Sequence, residues 1–284
     1  MNSIVTDRTG KAGERQNLGN ARVVQLKPGV SGPCFFLVPG TGGRVEGFSD
    51  LANLLQTSMP IYAIEARGVD ENSVPDSDIE EMVTHYLNIV RSMQPRGPYF
   101  MAGHSFGGMV VYEVAQRLLA AGESVGCLML FDTVTPKRFW PLGFYIANLG
   151  SRILGHVDRL LRLTPKDSFA YYTRRIRLRR QGLHQIPTDL KFGQDAARML
   201  LANEMLFKKW APRPYPGRLI LFCGSDTKNL PILWRNRVAE LEAHVSTGNH
   251  INLIEPPHVT SLAETMSRCI AQGLQSPSRL PAAA

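Results

Sequence analysis

The chain has 284 residues, 44% of them hydrophobic, and a formal net charge of +8. Such a length suits one large α/β sheet domain. No apolar run approaches the roughly eighteen residues of a transmembrane helix, and the polar first twenty residues lack the apolar centre of a signal peptide, so a cytoplasmic location is expected. The positive charge is concentrated rather than spread: Lys137 to Arg180 holds eleven Lys or Arg against two acids, Asp158 and Asp167. With no recognition motif beside it, that charge does not indicate nucleic-acid binding.

In chain order, residues 1–20 read as a disordered tail. CFFLV (34–38) reads as a buried strand and EGFSDLANLLQ as a helix. IYAI (61–64) is a strand, Asp78 to Met93 a helix, YFMAG (99–103) a strand, Gly108 to Ala121 a helix stopped by Gly122, and CLMLF (127–131) a strand. These strands are continuous apolar runs, the pattern of a sheet covered on both faces. The βαβ rhythm implies a mostly parallel sheet flanked by helices. It breaks at about 136–213, a helical, aromatic and Arg-rich stretch read as a lid over the carboxyl ends of the strands. It resumes with RLILFCG (218–224), a helix near 231–241, a short strand near 243–246 and a last helix from about Val259 to Gly273; residues 276–284 read as a second tail. The four cysteines, Cys34, Cys127, Cys223 and Cys269, form no CxxC pair, and three lie in apolar runs. They are expected to be reduced and buried, with neither metal nor disulfide.

Chemistry concentrates in Gly103-His104-Ser105-Phe106-Gly107, a G-x-S-x-G pattern between a strand and a helix. The turn it makes is so sharp that the serine is strained and its Oγ projects clear of the sheet, and a Cβ at Gly103 or Gly107 would collide with a neighbouring element. The helix start beneath favours a developing oxyanion. A serine hydroxyl needs a base. His250, in the loop after the short strand, is the choice over His244, placed at the start of that strand, and His258, placed at the opening of the last helix. The base needs an acid; Asp132, closing CLMLFD, and Asp226, after LILFCGS, both end strands, and spacing alone does not decide between them. The oxyanion hole takes one N–H from Phe106 and another from the Pro39-Gly40-Thr41-Gly42-Gly43 loop, with Thr41 the choice. That loop is not a dinucleotide fingerprint, because Val45 stands where the third glycine belongs, nor a P-loop, because no Gly-Lys-Ser/Thr follows.

The runs FFLVPGTGG, IYAIEARGVD, MQPRGPYFMAGHSFGGMVVYEVAQRLLAAGESVGCLMLFDT, APRPYPGRLILF and GNHINLIEPPHV resemble the thioesterase domains that terminate nonribosomal peptide and polyketide synthases, members of the α/β-hydrolase superfamily. The resemblance spans about 22–275 apart from the lid. It implies an α/β-hydrolase fold and a serine hydrolase that takes an acyl chain from the phosphopantetheine arm of an acyl or peptidyl carrier protein. The chain is then released to water or to an internal nucleophile, with no cofactor of the enzyme's own. It places the acid at Asp132, in a segment like LMLFDT, and agrees with Thr41 and Phe106 as oxyanion donors. The family's Gly-Asp-His is here Gly248-Asn249-His250, a mild departure. A generic carboxylester hydrolase or lipase on the same triad is the alternative, and an idle hydrolase fold serving as a binding scaffold a third. The lid cluster Arg174, Arg175, Arg177, Arg179 and Arg180 reads as a solvated helix face, a docking patch for an acidic carrier, or part of a membrane-surface helix. Lid aromatics such as Phe139, Trp140, Phe144, Tyr145, Phe169, Tyr171 and Tyr172 either line an acyl channel or join the lid to the sheet domain.

Overall fold

Apolar strands that are hydrophobic on every residue must be covered twice, and the computed structural model, which describes residues 4–6, 12–18, 21–69, 73–149 and 194–278, covers them twice. Among the described residues, nine strands form one sheet in the order β1-β2-β3-β5-β4-β6-β7-β8-β9. They are β1 (Ile4–Thr6), β2 (Ala12–Leu18), β3 (Ala21–Lys27), β4 (Phe35–Val38), β5 (Ile61–Ile64), β6 (Tyr99–His104), β7 (Val125–Phe131), β8 (Tyr215–Cys223) and β9 (Val238–Val245). Every pairing from β5 across to β9 is parallel, whereas β1, β2 and β3 join antiparallel at the other edge.

The helices are α1 (Ser49–Leu54), α2 (Ile79–Met93), α3 (Phe106–Ala120), α4 (142–149), α5 (Gln194–Lys209), α6 (Pro231–Trp234) and α7 (Val259–Gln275). Residues of one strand divide between two hydrophobic cores. Tyr99 and Met101 of β6, with Leu128 and Leu130 of β7, pack with Met82 and Tyr86 of α2 and with Met109, Tyr112 and Leu118 of α3. Phe100, Ala102, Met129 and Phe131 face the other way, onto Leu51 of α1 and Leu262, Met266 and Ile270 of α7. The alternation follows from the pleat. Truncating one of these fully buried side chains to Ala carries a typical cost of about 2–5 kcal/mol. The chain enters α2 through Asp78, whose carboxylate accepts from the N–H groups of Glu80 and Glu81 at 2.8 and 3.1 Å, a cap typically worth about 1 kcal/mol.

Three expectations differ from the structure. Residues 4–6 and 12–18, within the segment read as a disordered tail, form β1 and β2. The helix read near 231–241 is a single turn, and the short strand near 243–246 is the eight-residue β9. Val-Ala-Glu-Leu-Glu-Ala-His-Val mixes helix formers with a period of two, and the pairing with β8 decides for a strand. At the other terminus, Ser278 bridges to Val125. Cys127, Cys223 and Cys269 are buried and Cys34 half-buried, all four as free thiols. The described part of the stretch read as a lid, 136–213, contains the short 3-10 turn Lys137–Phe139, α4 and α5, joined to non-helical residues at 140–141 and 210–213. Its middle, with Phe169, Tyr171, Tyr172 and the arginines from Arg174 to Arg180, lies outside the described residues.

Candidate active site

Parallel strands send their carboxyl ends to one edge of the sheet, and the site is assembled there. β6 runs directly into Ser105, which adopts φ 52° and ψ −111° before α3 begins at Phe106. A non-glycine residue there is strained. The conformation is held by Ser105 N–H donating to Phe131 O at 2.8 Å, and by Ser105 O accepting from Gly108 N–H at 3.1 Å and from the Thr133 hydroxyl at 3.0 Å. A Cβ on Gly103 would strike the Gly107 carbonyl, one on Gly107 the carbonyls of Val38 and Pro39, and one on Gly108 the Thr133 hydroxyl. The elbow is therefore clamped between β4 and the residues just past β7, and only glycine fits at the clamp points.

Thr41 lies in a turn closed by Gly43 N–H to Gly40 O at 2.9 Å. A Cβ placed on Gly40 would lie 3.6 Å from Ser105 Cβ, so this loop runs beside the elbow. Asn203 of α5, 3% exposed, donates Nδ2–H to the Thr41 carbonyl at 2.9 Å. Phe106 is buried as the first residue of α3.

Asp132 follows β7 with φ 49° and is 1% exposed. One carboxylate oxygen, Oδ2, meets His250 Nδ1 at 2.5 Å. The other, Oδ1, accepts from Gly224 N–H at 2.9 Å and from the Thr227 hydroxyl. Burial pushes the Asp132 pKa up, but the hydrogen bonds from His250, Gly224 and Thr227 outweigh it and hold the carboxyl below its ordinary value. Asp226, the other aspartate considered for the acid, is exposed on the turn after β8; its neighbour Thr227 is the residue that turns inward.

His250 reaches Asp132 by crossing the end of β8. Its loop is tied there by Ser246 N–H to Cys223 O and Ser225 N–H to Gly248 O, both at 2.7 Å. A Cβ on Gly224 would lie 3.1 Å from His250 N, so a glycine is what lets the loop pass this close. Asn249 accepts from Ile251 N–H at 2.9 Å and Asn252 N–H at 3.2 Å, and Asn252 Oδ1 accepts from Asn249 N–H at 2.7 Å. The turn uses an acceptor oxygen, which Asn supplies as Asp does. His244 pairs with Glu242 at 2.7 Å within β9, and His258 precedes α7, its Nδ1 2.8 Å from the Thr247 hydroxyl. Neither contributes to the Asp132 contact.

Several contributors were not read from the sequence: Thr227, Thr133, Asn203 and His104. His104 sits inside the G-x-S-x-G motif, and its Nε2–H donates to the His250 carbonyl at 3.0 Å. Burial, then the nearby His250, lowers its pKa to about 4, so it is neutral near pH 7. Position in the motif was the available signal for His104; for the other three, nothing in the local pattern announces the contact. Among lid aromatics, Trp140 and Phe144 join the sheet-domain core, while Tyr145 is 43% exposed.

The family model for the thioesterase domain matches residues 34–270. Atromentin synthetase of Tapinella panuoides is 45% identical over 93 residues, covering 33% of this chain and 10% of that protein. A non-reducing polyketide synthase of Pseudevernia furfuracea is 26% identical over 273 residues, 86% of this chain and 12% of that one. The chain thus spans a small fraction of these relatives. Among solved structures, the NocB thioesterase domain in covalent complex with a fluorophosphonate nocardicin G analogue superposes with a TM-score of 0.57 at 24% identity, covering 84% of this chain and 95% of that one. A four-domain nonribosomal peptide synthetase bound to AMP and glycine gives 0.62 at 21%, covering 87% and 20%. Among the described residues, no helix is long and apolar enough to cross a membrane.

Proposed function

Because the chain belongs to the thioesterase domain family, we propose that it releases an acyl chain (polyketide, peptide or fatty acyl) from the phosphopantetheine arm of a carrier protein through an acyl ester on Ser105. The observation that carries this reading is the contact of His250 Nδ1 with the buried Asp132 carboxylate at the sheet edge where β6 delivers the strained Ser105. In the proposed first step the Ser105 hydroxyl gives its proton to Nε2 of His250 and its Oγ attacks the thioester carbonyl. Asp132 holds the imidazole with Nδ1 protonated and stabilises the cation. The negative charge on the former carbonyl oxygen is taken by the N–H groups of Thr41 and Phe106, helped by the positive end of α3. The C–S bond then breaks, and the departing thiol leaves with the proton from His250. In the second step water, or a hydroxyl or amine of the acyl chain, gives its proton to His250 and attacks the ester, yielding an acid or a ring and restoring the serine. The carrier is a partner and its arm belongs to the substrate, so the enzyme itself uses no cofactor or metal in this scheme.

The test uses a fluorophosphonate, the reagent class present in the complex of the NocB domain, followed by intact-mass and peptide mapping. One adduct on Ser105, absent in Ser105→Ala, is expected; no adduct, or one that persists in the variant, overturns the nucleophile. Turnover of an acyl thioester against the matching oxygen ester then decides the substrate class. A preference for the oxygen ester would favour a general carboxylester hydrolase instead.

A further inference from the structure

A catalytic base carried on a long surface loop needs more than its acid to stay aimed, because one hydrogen bond leaves the imidazole free to move with the loop. His250 lies on such a loop between β9 and α7, and its side chain is 44% exposed. Its main chain is held from the centre of the sheet. His104, the last residue of β6, donates Nε2–H to the His250 carbonyl at 3.0 Å, and the two rings lie 5.3 Å apart. On its other side, His104 Nδ1 would lie 3.2 Å from a Cβ on Gly40, so the imidazole fills the space between the His250 loop and the loop bearing Thr41. His104 is also covalently joined to Ser105.

We infer that His104 is a positioning residue that sets the separation of Ser105 from His250, reducing a relation across 145 residues of chain to one peptide unit and one side chain. The inference rests on the Ser105–His250–Asp132 reading above. The function belongs to a donor at the Nε2 position. A glutamine amide reaches that position, an asparagine amide stops short of it, and a leucine fills space without donating. A misplacement near 1 Å at a reacting pair costs about 10²-fold, and the loss from a loosened loop belongs in kcat.

The experiment compares His104→Leu, His104→Asn and His104→Gln with the wild type in two readouts: kcat and KM on a small acyl thioester, and the rate at which the fluorophosphonate labels Ser105. Leu and Asn are expected to lower kcat and labelling roughly 10- to 100-fold with KM little changed, and Gln to recover most of the loss. A downfield proton resonance from His250 Nδ1–H, seen in the wild type and in Gln, should broaden or vanish in Leu. A folded Leu variant that labels as fast as the wild type overturns the inference. If Leu does not fold, the Gln–Asn pair decides, and equal loss in both overturns it. Failure of the wild type itself to label at Ser105 is a different result: it overturns the triad, and this inference with it.

Discussion

The Asp132 carboxylate occupies a place where burial alone would favour its neutral form, yet three donors converge on it: His250 Nδ1–H, the Gly224 N–H and the Thr227 hydroxyl. Each bond to a charged acceptor is worth about 1.5–3 kcal/mol, enough together to keep it ionised. The charge serves the imidazole only because Oδ1 is satisfied elsewhere, leaving Oδ2 for His250. Asp132→Asn keeps the shape but removes the charge, and can present an N–H where the imidazole needs an acceptor. The expected loss in kcat is roughly 10³–10⁴-fold, whereas Asp226→Asn, on an exposed turn, should change kcat by less than about threefold. Steady-state kinetics of both variants on one thioester check this, and a larger loss at Asp226 would remove Asp132 from the acid role.

At the scale of elements, α5 ties the lid to the site. Its buried Asn203 holds the Thr41 carbonyl at 2.9 Å, while Arg198, one turn or so earlier and exposed, reaches the Ser73 carbonyl at 3.0 Å. Fixing that carbonyl steadies the peptides around it, including the Thr41 N–H proposed above as an oxyanion donor. Asn203→Ala should lower kcat about tenfold at nearly constant KM, since one oxyanion donor is typically worth about 10²–10³ and here it is displaced rather than deleted. Arg198→Ala, which severs the outer anchor only, should leave kcat within about twofold. Comparable losses in both would mean that α5 matters only as scaffolding. Contacts of this kind were invisible in the sequence, because Asn203 and Thr41 stand 162 residues apart and no local pattern couples them. The parallel strands were legible for the opposite reason. CFFLV, YFMAG and CLMLF are apolar on both pleat faces, and the glycines of the elbow are dictated by collisions that the motif itself encodes. The edge elements were not. β2 reads Ala-Gly-Glu-Arg-Gln-Asn-Leu, a polar segment with no apolar run, and β9 carries glutamates on an edge that charge helps keep from pairing further. The choice of Asp132 over Asp226 came from the family resemblance, not from spacing, because both aspartates end strands and the deciding contact depends on which way each chain turns past the sheet.

At the scale of the whole molecule, two of the described histidines are expected to make the fold sensitive to mild acid. His85 on α2 lies edge-on to Tyr86, with ring centroids 6.0 Å apart, and burial, then the charge of Arg67, lowers its pKa to about 4. His104 is lowered to about 4 as well, by burial and then by His250. In the unfolded chain a histidine titrates near 6.5. Between about 6.5 and about 4 the unfolded chain therefore binds protons that the folded one does not, and stability falls as pH falls through that window. Above about 6.5 both states are neutral at these sites and their contribution is flat. Below about 4 the folded histidines also protonate and their effect levels off. Asp132 has the opposite sign of charge but the same direction of loss. Its folded pKa lies below the ordinary value, so its contribution is present above about 3.9 and declines only at lower pH. The histidine window is thus distinct from that of Asp132, the proposed acid. Melting temperatures of the wild type should be steady from about pH 8 to 7 and fall progressively towards pH 4.5. His85 lies on α2, outside the candidate site, so His85→Gln tests the origin of the fall without disturbing the contact of His250 with Asp132. The variant should lose less stability over the same interval, whatever its melting temperature at pH 7.5. An identical slope in variant and wild type would show that His85 does not stay neutral in the folded chain, and would leave His104 as the group to which the remaining slope belongs.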